Sequence, residues 1–320
     1  MAELAEKTEA ASPRGEAAGT PAVKTVELTK RFGHTVALAG LSMTVPRGEV
    51  FGFLGPNGAG KTTAVKLLLG LLKPSSGEGW LLGRPVGDLR TRRRIGYLPE
   101  LFRYQGWLSA AEVLALHCEL APLPRSSWKD EIGGTLETVG LSDRANDRVS
   151  TFSKGMQQRL GLGAALLGEP ELVFLDEPTS ALYPVGRHDV REIIRGLASR
   201  GTAVFLNSHL LSEVEQVCDR VAVVDHGRVI ASGTMDELLG GTAVRVRATG
   251  LTQADKNRLS GYGRIDDEGE LMTFANLDAD RVPELVASIV SMGGRVYEVA
   301  PRHQTLEDRF LQLLDDEDKS

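Results

Sequence analysis

Cysteine is nearly missing from this chain: Cys118 and Cys218 are the two it has in 320 residues. Two thiols give no disulfide framework, which fits a reducing, cytosolic compartment. Basic charge is also short. The 37 Lys and Arg stand against 43 Asp and Glu, a formal charge of −6, whereas a nucleic-acid binder carries a basic excess. Long apolar runs are absent. Leu67–Leu72 and Leu160–Leu167 are among the longest and fall well short of the ~20 residues needed to cross a bilayer. The acidic, Ala-rich N-terminus lacks the apolar segment of a signal peptide. Any membrane role therefore has to pass through a partner. No Asn-Lys-x-Asp stretch is present to read guanine, and no heptad run to build a coiled coil. What the chain does have is length for about two domains and enough apolar residues, 42%, for ordinary cores.

One stretch names its ligand. Gly55-Pro56-Asn57-Gly58-Ala59-Gly60-Lys61-Thr62-Thr63 is a complete G-x-x-x-x-G-K-[ST] loop. Its glycines allow positive φ, so successive backbone N–H groups can turn inward onto phosphate oxygens. Lys61 brings a positive charge to the β- and γ-phosphates, and Thr62 offers a hydroxyl to Mg²⁺. Context strengthens the reading. Glu49–Leu54 reads as a buried strand and Ala64–Leu69 as a helix, and a helix N-terminus directs its dipole at an anion.

The chain divides into three regions. Residues 1–22, rich in Ala, Glu, Pro and Gly, read as a disordered tail. Residues 23–240 read as one α/β unit with strands at Thr25–Leu28, Val50–Leu54, Leu172–Leu175, Ala203–Leu206 and Val221–Asp225. Helical patterns separate them, which predicts a mostly parallel sheet with helices on both faces. Residues 101–170 interrupt this unit with a helical lobe that includes Ala110–Glu119 and Trp128–Val139. Residues 241–320 read β-α-β-β-α-β, a small α+β ferredoxin-like domain. A last helix at Leu306–Leu314 and a solvated acidic tail, Asp315–Asp318, follow.

Three further sites carry chemistry. Leu172-Val173-Phe174-Leu175-Asp176-Glu177 is an apolar strand ending in two carboxylates. The first can hold Mg²⁺ beside a phosphate loop, and the second can orient and deprotonate a water. The alternative for such an acidic pair is a helix N-cap, the lesser reading here. Phe152-Ser153-Lys154-Gly155-Met156 places a Ser-x-Gly turn at the start of the apolar helix Leu160–Leu167, a second anion site by the dipole argument. Leu206-Asn207-Ser208-His209 puts a histidine after another apolar strand; alone, such a histidine is structural.

Together and in this order, these motifs resemble the nucleotide-binding subunits of ATP-binding cassette (ABC) transporters, over nearly all of residues 23–240. Gly55–Thr63 looks like the Walker A loop, Leu172–Glu177 like Walker B, and Phe152–Met156 like the signature segment. His209 looks like the switch histidine that contacts the γ-phosphate. The resemblance places Phe32 where an aromatic stacks on adenine, Glu100 where a glutamine usually serves Mg²⁺ and water, and Ser153 and Gly155 against the ATP of a second subunit. It implies a P-loop ABC ATPase domain with a helical subdomain that binds ATP with Mg²⁺. Its catalytic set is Lys61, Glu177 and His209, and its metal set Thr62, Asp176 and Glu100. It further implies a dimer of such subunits on the cytoplasmic face of the membrane, held by a separate permease that docks near Glu100 and Leu101–Leu108. Pro99-Glu100 and Ser153-Lys154-Gly155-Met156 look like one branch of prokaryotic exporters, and Leu306-Glu307-Asp308 like the closing helix of their appended domain.

Tyr183 departs from the pattern. The family almost always has Asp after Leu182, in a loop that crosses the dimer interface, so a phenol there is expected to slow hydrolysis while ATP binding is kept. The run Arg90–Arg94 reads as a solvated helix face rather than a lipid contact. Two rival readings are a non-transport ABC ATPase acting on nucleic acid or ribosomes, and a regulatory cassette with impaired hydrolysis. The single cassette and acidic balance weigh against the first. No residue here identifies a transported cargo.

Overall fold

The computed structural model describes residues 19–121, 123–180, 182–239, 243–275, 277–302 and 305–317. Residues 1–18 of the tail expected over 1–22, Ala181 two residues before Tyr183, and Asp318 of the acidic end lie outside the described residues; Ala22, also expected in that tail, is instead buried and bonded to Val45 O and Leu82 N–H, because the hairpin sheet extends to it. The chain opens with an antiparallel hairpin, β1 (Val23–Phe32) and β2 (Thr35–Val45). β3 (Val50–Leu54) leads into α1 (Lys61–Leu68). Then come β4 (Ser76–Leu81), β5 (Arg84–Pro85), the short α2 (Leu89–Arg92) and β6 (Ile95–Leu98). Three helices follow, α3 (Ala110–Leu120), α4 (Trp128–Thr138) and α5 (Lys154–Leu166). β7 (Leu172–Asp176), α6 (Pro184–Ser199), β8 (Ala203–Asn207), α7 (Leu211–Val217), β9 (Arg220–Asp225), β10 (Arg228–Thr234) and α8 (Met235–Leu239) complete the first unit.

These strands form two sheets. One is antiparallel, in the order β2-β1-β4-β5. The other runs β10-β9-β3-β8-β7-β6 and is parallel from β9 to β6, with β10 antiparallel at its edge. The strand expected at Thr25–Leu28 therefore does not join the parallel sheet; it is part of β1. The burial patterns give the reason. β1 mixes buried and exposed residues, with one face wet, whereas β3, β7 and β8 are buried at every position, as central parallel strands are.

The covering of the faces also differs from expectation. On one face Val173, Leu175, Val204 and Leu206 pack with α5, α6 and α7. On the other, Phe51, Phe53, Phe174 and Phe205 pack with α1 and with the second sheet, through Leu28, Leu38 and Leu41. Ring centroids among those phenylalanines lie 5.1 to 5.8 Å apart, the tilted and offset contacts aromatics favour. Helices thus share one face with a sheet.

The helical insert is not a separate core. Val113, Leu114, Leu136 and Val149 join Leu98, Leu160 and Leu175 in one apolar cluster. Ser109 starts α3 with a reciprocal capping box to Glu112. The arginine run is only partly a solvated face. Asp88 caps α2 by accepting from Thr91 N–H, Arg92 donates to Gly70 O, and Arg94 is paired with Glu171.

The C-terminal module has its own core, built on Val244, Val246, Met272, Phe274, Leu285 and Ile289. It runs β11 (Ala243–Thr249), α9 (Gln253–Arg258), β12 (Arg264–Glu268), β13 (Leu271–Ala275), α10 (Val282–Ser291) and β14 (Arg295–Arg302). Its sheet order is β12-β13-β11-β14, antiparallel throughout. That is the arrangement the β-α-β-β-α-β reading predicts. The last helix, α11 (Leu306–Glu317), returns to pack on α7, α8 and β10. There Leu306 is 1% exposed and joins the cluster holding Val214 and Val217. Glu215 of α7 accepts a hydrogen bond from the backbone N–H of Leu306, at 3.1 Å.

Candidate active site

The parallel strands deliver the chemistry to one edge. β3 ends at the loop Gly55–Thr63, β7 at Asp176 and Glu177, β8 at Asn207 and His209, and β6 two residues before Glu100. Register aligns these ends. Asn207 pairs with Phe53 on one side and with Asp176 on the other, and Leu98 pairs with Leu175. This is the carboxyl edge of an open α/β sheet, where such folds bind ligands.

Backbone contacts fix the loop. Gly60 has φ 98° and precedes α1; a Cβ there would sit 2.3 Å from Ala37 O. At Gly55 a Cβ would sit 2.2 Å from Val224 O. No other residue fits either place without moving the backbone. Gly227, in the β9–β10 turn, donates its N–H to Ala59 O at 3.0 Å and accepts from Ala39 N–H at 2.9 Å. The sheet carrying Phe32 is thereby stitched to the loop. Phe32 itself is 49% exposed, so it is no core residue, and the Lys30 ammonium lies 5.0 Å from its ring centre.

Lys61 folds back over the loop, its Nζ donating to Gly55 O at 2.7 Å and Pro56 O at 3.0 Å. Burial lowers its pKa, against the pull of Glu177 and Asp176. Thr62, beside it at the start of α1, is exposed. Asp176 is 5% exposed and accepts from Asn207 Nδ2 at 2.6 Å. Burial raises its pKa; the Asn207 bond opposes the rise and Glu100 adds to it. Glu177 is 9% exposed, with φ 52°. Its Oε1 lies 2.7 Å from His209 Nδ1, and its N–H donates to Asn207 O at 2.9 Å. Burial raises the Glu177 pKa too, against the His209 bond. Two buried oxygens, Glu177 Oε2 and Asn207 Oδ1, have no partner.

Lys61, Asp176, Glu177, His209 and Glu100 therefore converge, with the two buried carboxyls biased toward their neutral forms. Asn207 and Gly227 belong to the same constellation and were not singled out from the sequence. Gly227 carried a signal, a His-Gly turn between two apolar strands. Asn207 carried a weaker one, an amide ending a fully apolar strand. Ser153 lies apart. It caps α5, its Oγ accepting from Met156 N–H at 3.2 Å. Among the described residues, no hydrogen bond or ion pair joins Ser153 or Gly155 to the Gly55–Thr63 loop. Tyr183 is 87% exposed at the N-cap of α6, where Pro184 starts the helix. Below it Leu182 is buried, its carbonyl accepting from Arg187 Nε at 3.0 Å. Arg187 and Arg191 of α6 both reach Glu213 of α7, at 4.0 and 2.8 Å.

Comparison with known proteins gives a consistent picture. A family model described as ABC transporter matches residues 38–180. An uncharacterized ABC transporter ATP-binding protein of Nostoc sp. PCC 7120 is 42% identical over 287 residues, 89% of this chain and 85% of that protein. The bacitracin transport ATP-binding protein of Bacillus licheniformis is 39% identical over 305 residues, 91% of this chain and 97% of that protein. A solved ATP-binding subunit of an ABC transporter superposes with a TM-score of 0.61 at 30% identity, covering 68% of this chain and 91% of that one.

Proposed function

We infer function from one premise: this chain belongs to the ABC transporter ATP-binding proteins and is an ATP-binding, ABC-type ATPase. We propose that it energises an exporter. Its ATP-driven pairing with a second ATPase subunit, another copy of itself, would be coupled to a separate membrane permease. The bacitracin transport relative supports a transport role, and a Nod factor export ATP-binding protein of Rhizobium sp. N33, 34% identical over 300 residues, supports the exporter class. No helix among the described residues is long and apolar enough to cross a membrane, so we place the chain peripherally, held by the permease.

The observation that carries the mechanism is the convergence of Lys61, Asp176, Glu177 and His209 at one sheet edge, beside two unpartnered buried oxygens. In this reading the exposed Phe32 ring stacks on adenine, a contact worth about 1–3 kcal/mol and tolerant of base identity. Backbone N–H groups of Gly58 to Thr63 face the phosphates. Lys61 exchanges its two loop carbonyls for phosphate oxygens, which also restores the solvation its burial removed. The donor set fits Mg²⁺, a hard ion that takes oxygen ligands and keeps several waters: Thr62, Asp176 and Glu100 would hold it, directly or through water. When bound, Mg²⁺ neutralises charge across the β- and γ-phosphates. Glu177 orients a water at the γ-phosphate and accepts its proton. With Glu177 ionised, His209 gives its Nδ1–H to that carboxylate and keeps Nε2 for the phosphate side.

Ser153 and Gly155, remote from this chain's own loop, serve the ATP of the paired copy. Their position at the N-terminus of the 13-residue α5 suits an anion. We place the permease at the helical insert, where Leu101, Trp107 and Leu120 are exposed and a cavity of about 430 Å³ is lined by Leu108, Leu116 and Trp128. The test is to purify the chain with and without a candidate membrane permease encoded next to it. The expected results are Mg²⁺-dependent ATP hydrolysis, ATP-dependent pairing that persists in Glu177→Gln, and recovery of the chain in the membrane fraction only with the permease. Membrane binding without the permease, or a monomer with ATP under all conditions, would refute the reading.

A further inference from the structure

Asn207 is an odd residue for its place. β8 is otherwise Ala-Val-Phe-Leu, and all five of its residues are buried. A carboxamide 4% exposed at the end of such a strand needs partners for both of its ends, since buried polar atoms are costly to leave unpaired. It has one. Nδ2 donates to Asp176 Oδ1 at 2.6 Å, a bond to a carboxylate that fixes which end of the amide is nitrogen. Oδ1 is left over. Among the described residues five buried side-chain polar atoms lack a partner, and two of them belong to Asn207 and Glu177. Those two residues are themselves joined, Glu177 N–H donating to Asn207 O. Asn207 thus holds Asp176 by its side chain and Glu177 by its backbone, and keeps one buried acceptor unpaired.

We propose that Asn207 is a positioning residue of the hydrolysis site, its Nδ2 fixing the Asp176 carboxylate and its Oδ1 accepting a hydrogen bond from a water of the bound Mg²⁺–nucleotide. The proposal rests on the functional reading above. A structural pin uses only the donor end of the amide, and a burial site built for that alone would offer the acceptor end a protein donor; here it has none among the described residues. Two buried acceptors on backbone-bonded residues, neither with a donor among the described residues, are matched by a ligand that brings O–H groups. Water does this, and a hydrated divalent ion brings several such waters at once. Outer partners of this kind orient carboxylate ligands and set metal affinity.

The experiment uses the full chain, wild type against Asn207→Val and Asn207→Asp. Three quantities are read: kcat and KM for ATP, Mn²⁺ affinity of the ADP complex by electron paramagnetic resonance, and affinity for a fluorescent ATP analogue in EDTA. For Asn207→Val the expected result is a loss of about 10–100-fold in kcat and in Mn²⁺ affinity. KM and metal-free nucleotide affinity should stay within about twofold, because the phosphate loop is untouched. Asn207→Asp removes the donor and sets a third carboxyl against Asp176, so it should lose Mn²⁺ affinity in the same way. Unchanged Mn²⁺ affinity in Asn207→Val would overturn the proposal. So would a parallel loss of metal-free binding and melting temperature, which marks a structural pin. If wild type itself neither binds Mn²⁺–ADP nor hydrolyses ATP, it is the functional reading that falls.

Discussion

Replacing Glu177 by Gln keeps the shape of the side chain and removes its charge, and the structure predicts two opposite effects. Hydrolysis should fail. Glu177 is the buried carboxylate at the sheet edge with an unpartnered oxygen, and losing a general base costs about 10²–10⁴-fold in kcat. At 1.36 kcal/mol per decade that is about 2.7–5.4 kcal/mol of barrier. ATP affinity should survive, because Lys61 and the loop are intact. Folding should become more favourable. Burial raises the Glu177 carboxyl pKa in the fold, so ionisation penalises the folded state as pH rises from the unfolded value, about 4.3, through the raised one. Below that window wild type is already neutral and gains nothing from the change. Glu177→Gln should therefore melt above wild type at pH 8, with the gap closing toward pH 4. A coupled ATPase assay, a fluorescent nucleotide titration and melting scans from pH 4 to 8.5 read all three. A variant hydrolysing within tenfold of wild type, or melting below it at pH 8, would refute the reasoning.

Tyr183→Asp should raise the ATPase rate with little change in ATP affinity if, in the proposed dimer, the exposed phenol takes the place of a carboxylate at the interface; equal rates would make it a tolerated substitution. Glu213→Ala should destabilise by about 3–5 kcal/mol in urea unfolding, since it strands the Arg191 guanidinium in a largely buried setting; a loss under 1 kcal/mol would show that water reaches the pair. Leu306→Ala should cost about 2–5 kcal/mol and make α11 the first segment to exchange amide hydrogens. Slow exchange there in the variant would mean that α11 docks by other contacts.

The site was legible from the sequence because its residues sit in short fixed motifs. Phosphate chemistry needs Gly-Lys-Thr in tandem and carboxylates at a strand end, so Lys61, Thr62, Asp176 and Glu177 stand out as candidates from the residues themselves, whereas His209 is a candidate only through the family resemblance. Their convergence was not legible. It depends on β8 lying between β3 and β7, a long-range register that no local pattern encodes, and Asn207 stayed hidden for the same reason. In the fold, the buried strands β3, β7 and β8 were plain as apolar runs. β4, Ser-Gly-Glu-Gly-Trp-Leu, was missed because its first three residues are exposed and two of its six are glycines, which strands disfavour. The second sheet went with it. Without that sheet, the face carrying Phe51, Phe53, Phe174 and Phe205 had only helices to be covered by. The C-terminal module read correctly in order because each of its strands is bounded by turn residues or a capped helix, such as the Thr252–Asp255 box.

The path of the last helix has an architectural consequence. The chain leaves the ATPase body at α8 and rejoins it at α11, and these two helices pack against each other. The β11–β14 module is therefore topologically an insertion, with its exit and entry side by side. A single protease cut on either side would leave it tethered by the other. Excising residues 243–302 and bridging α8 to α11 with a short Gly-Ser linker is then a conservative edit, because neighbouring ends are what domain insertion and removal require. The same doorway would accept a foreign domain of similar end spacing, making this ATPase a ready carrier for a reporter anchored beside α7.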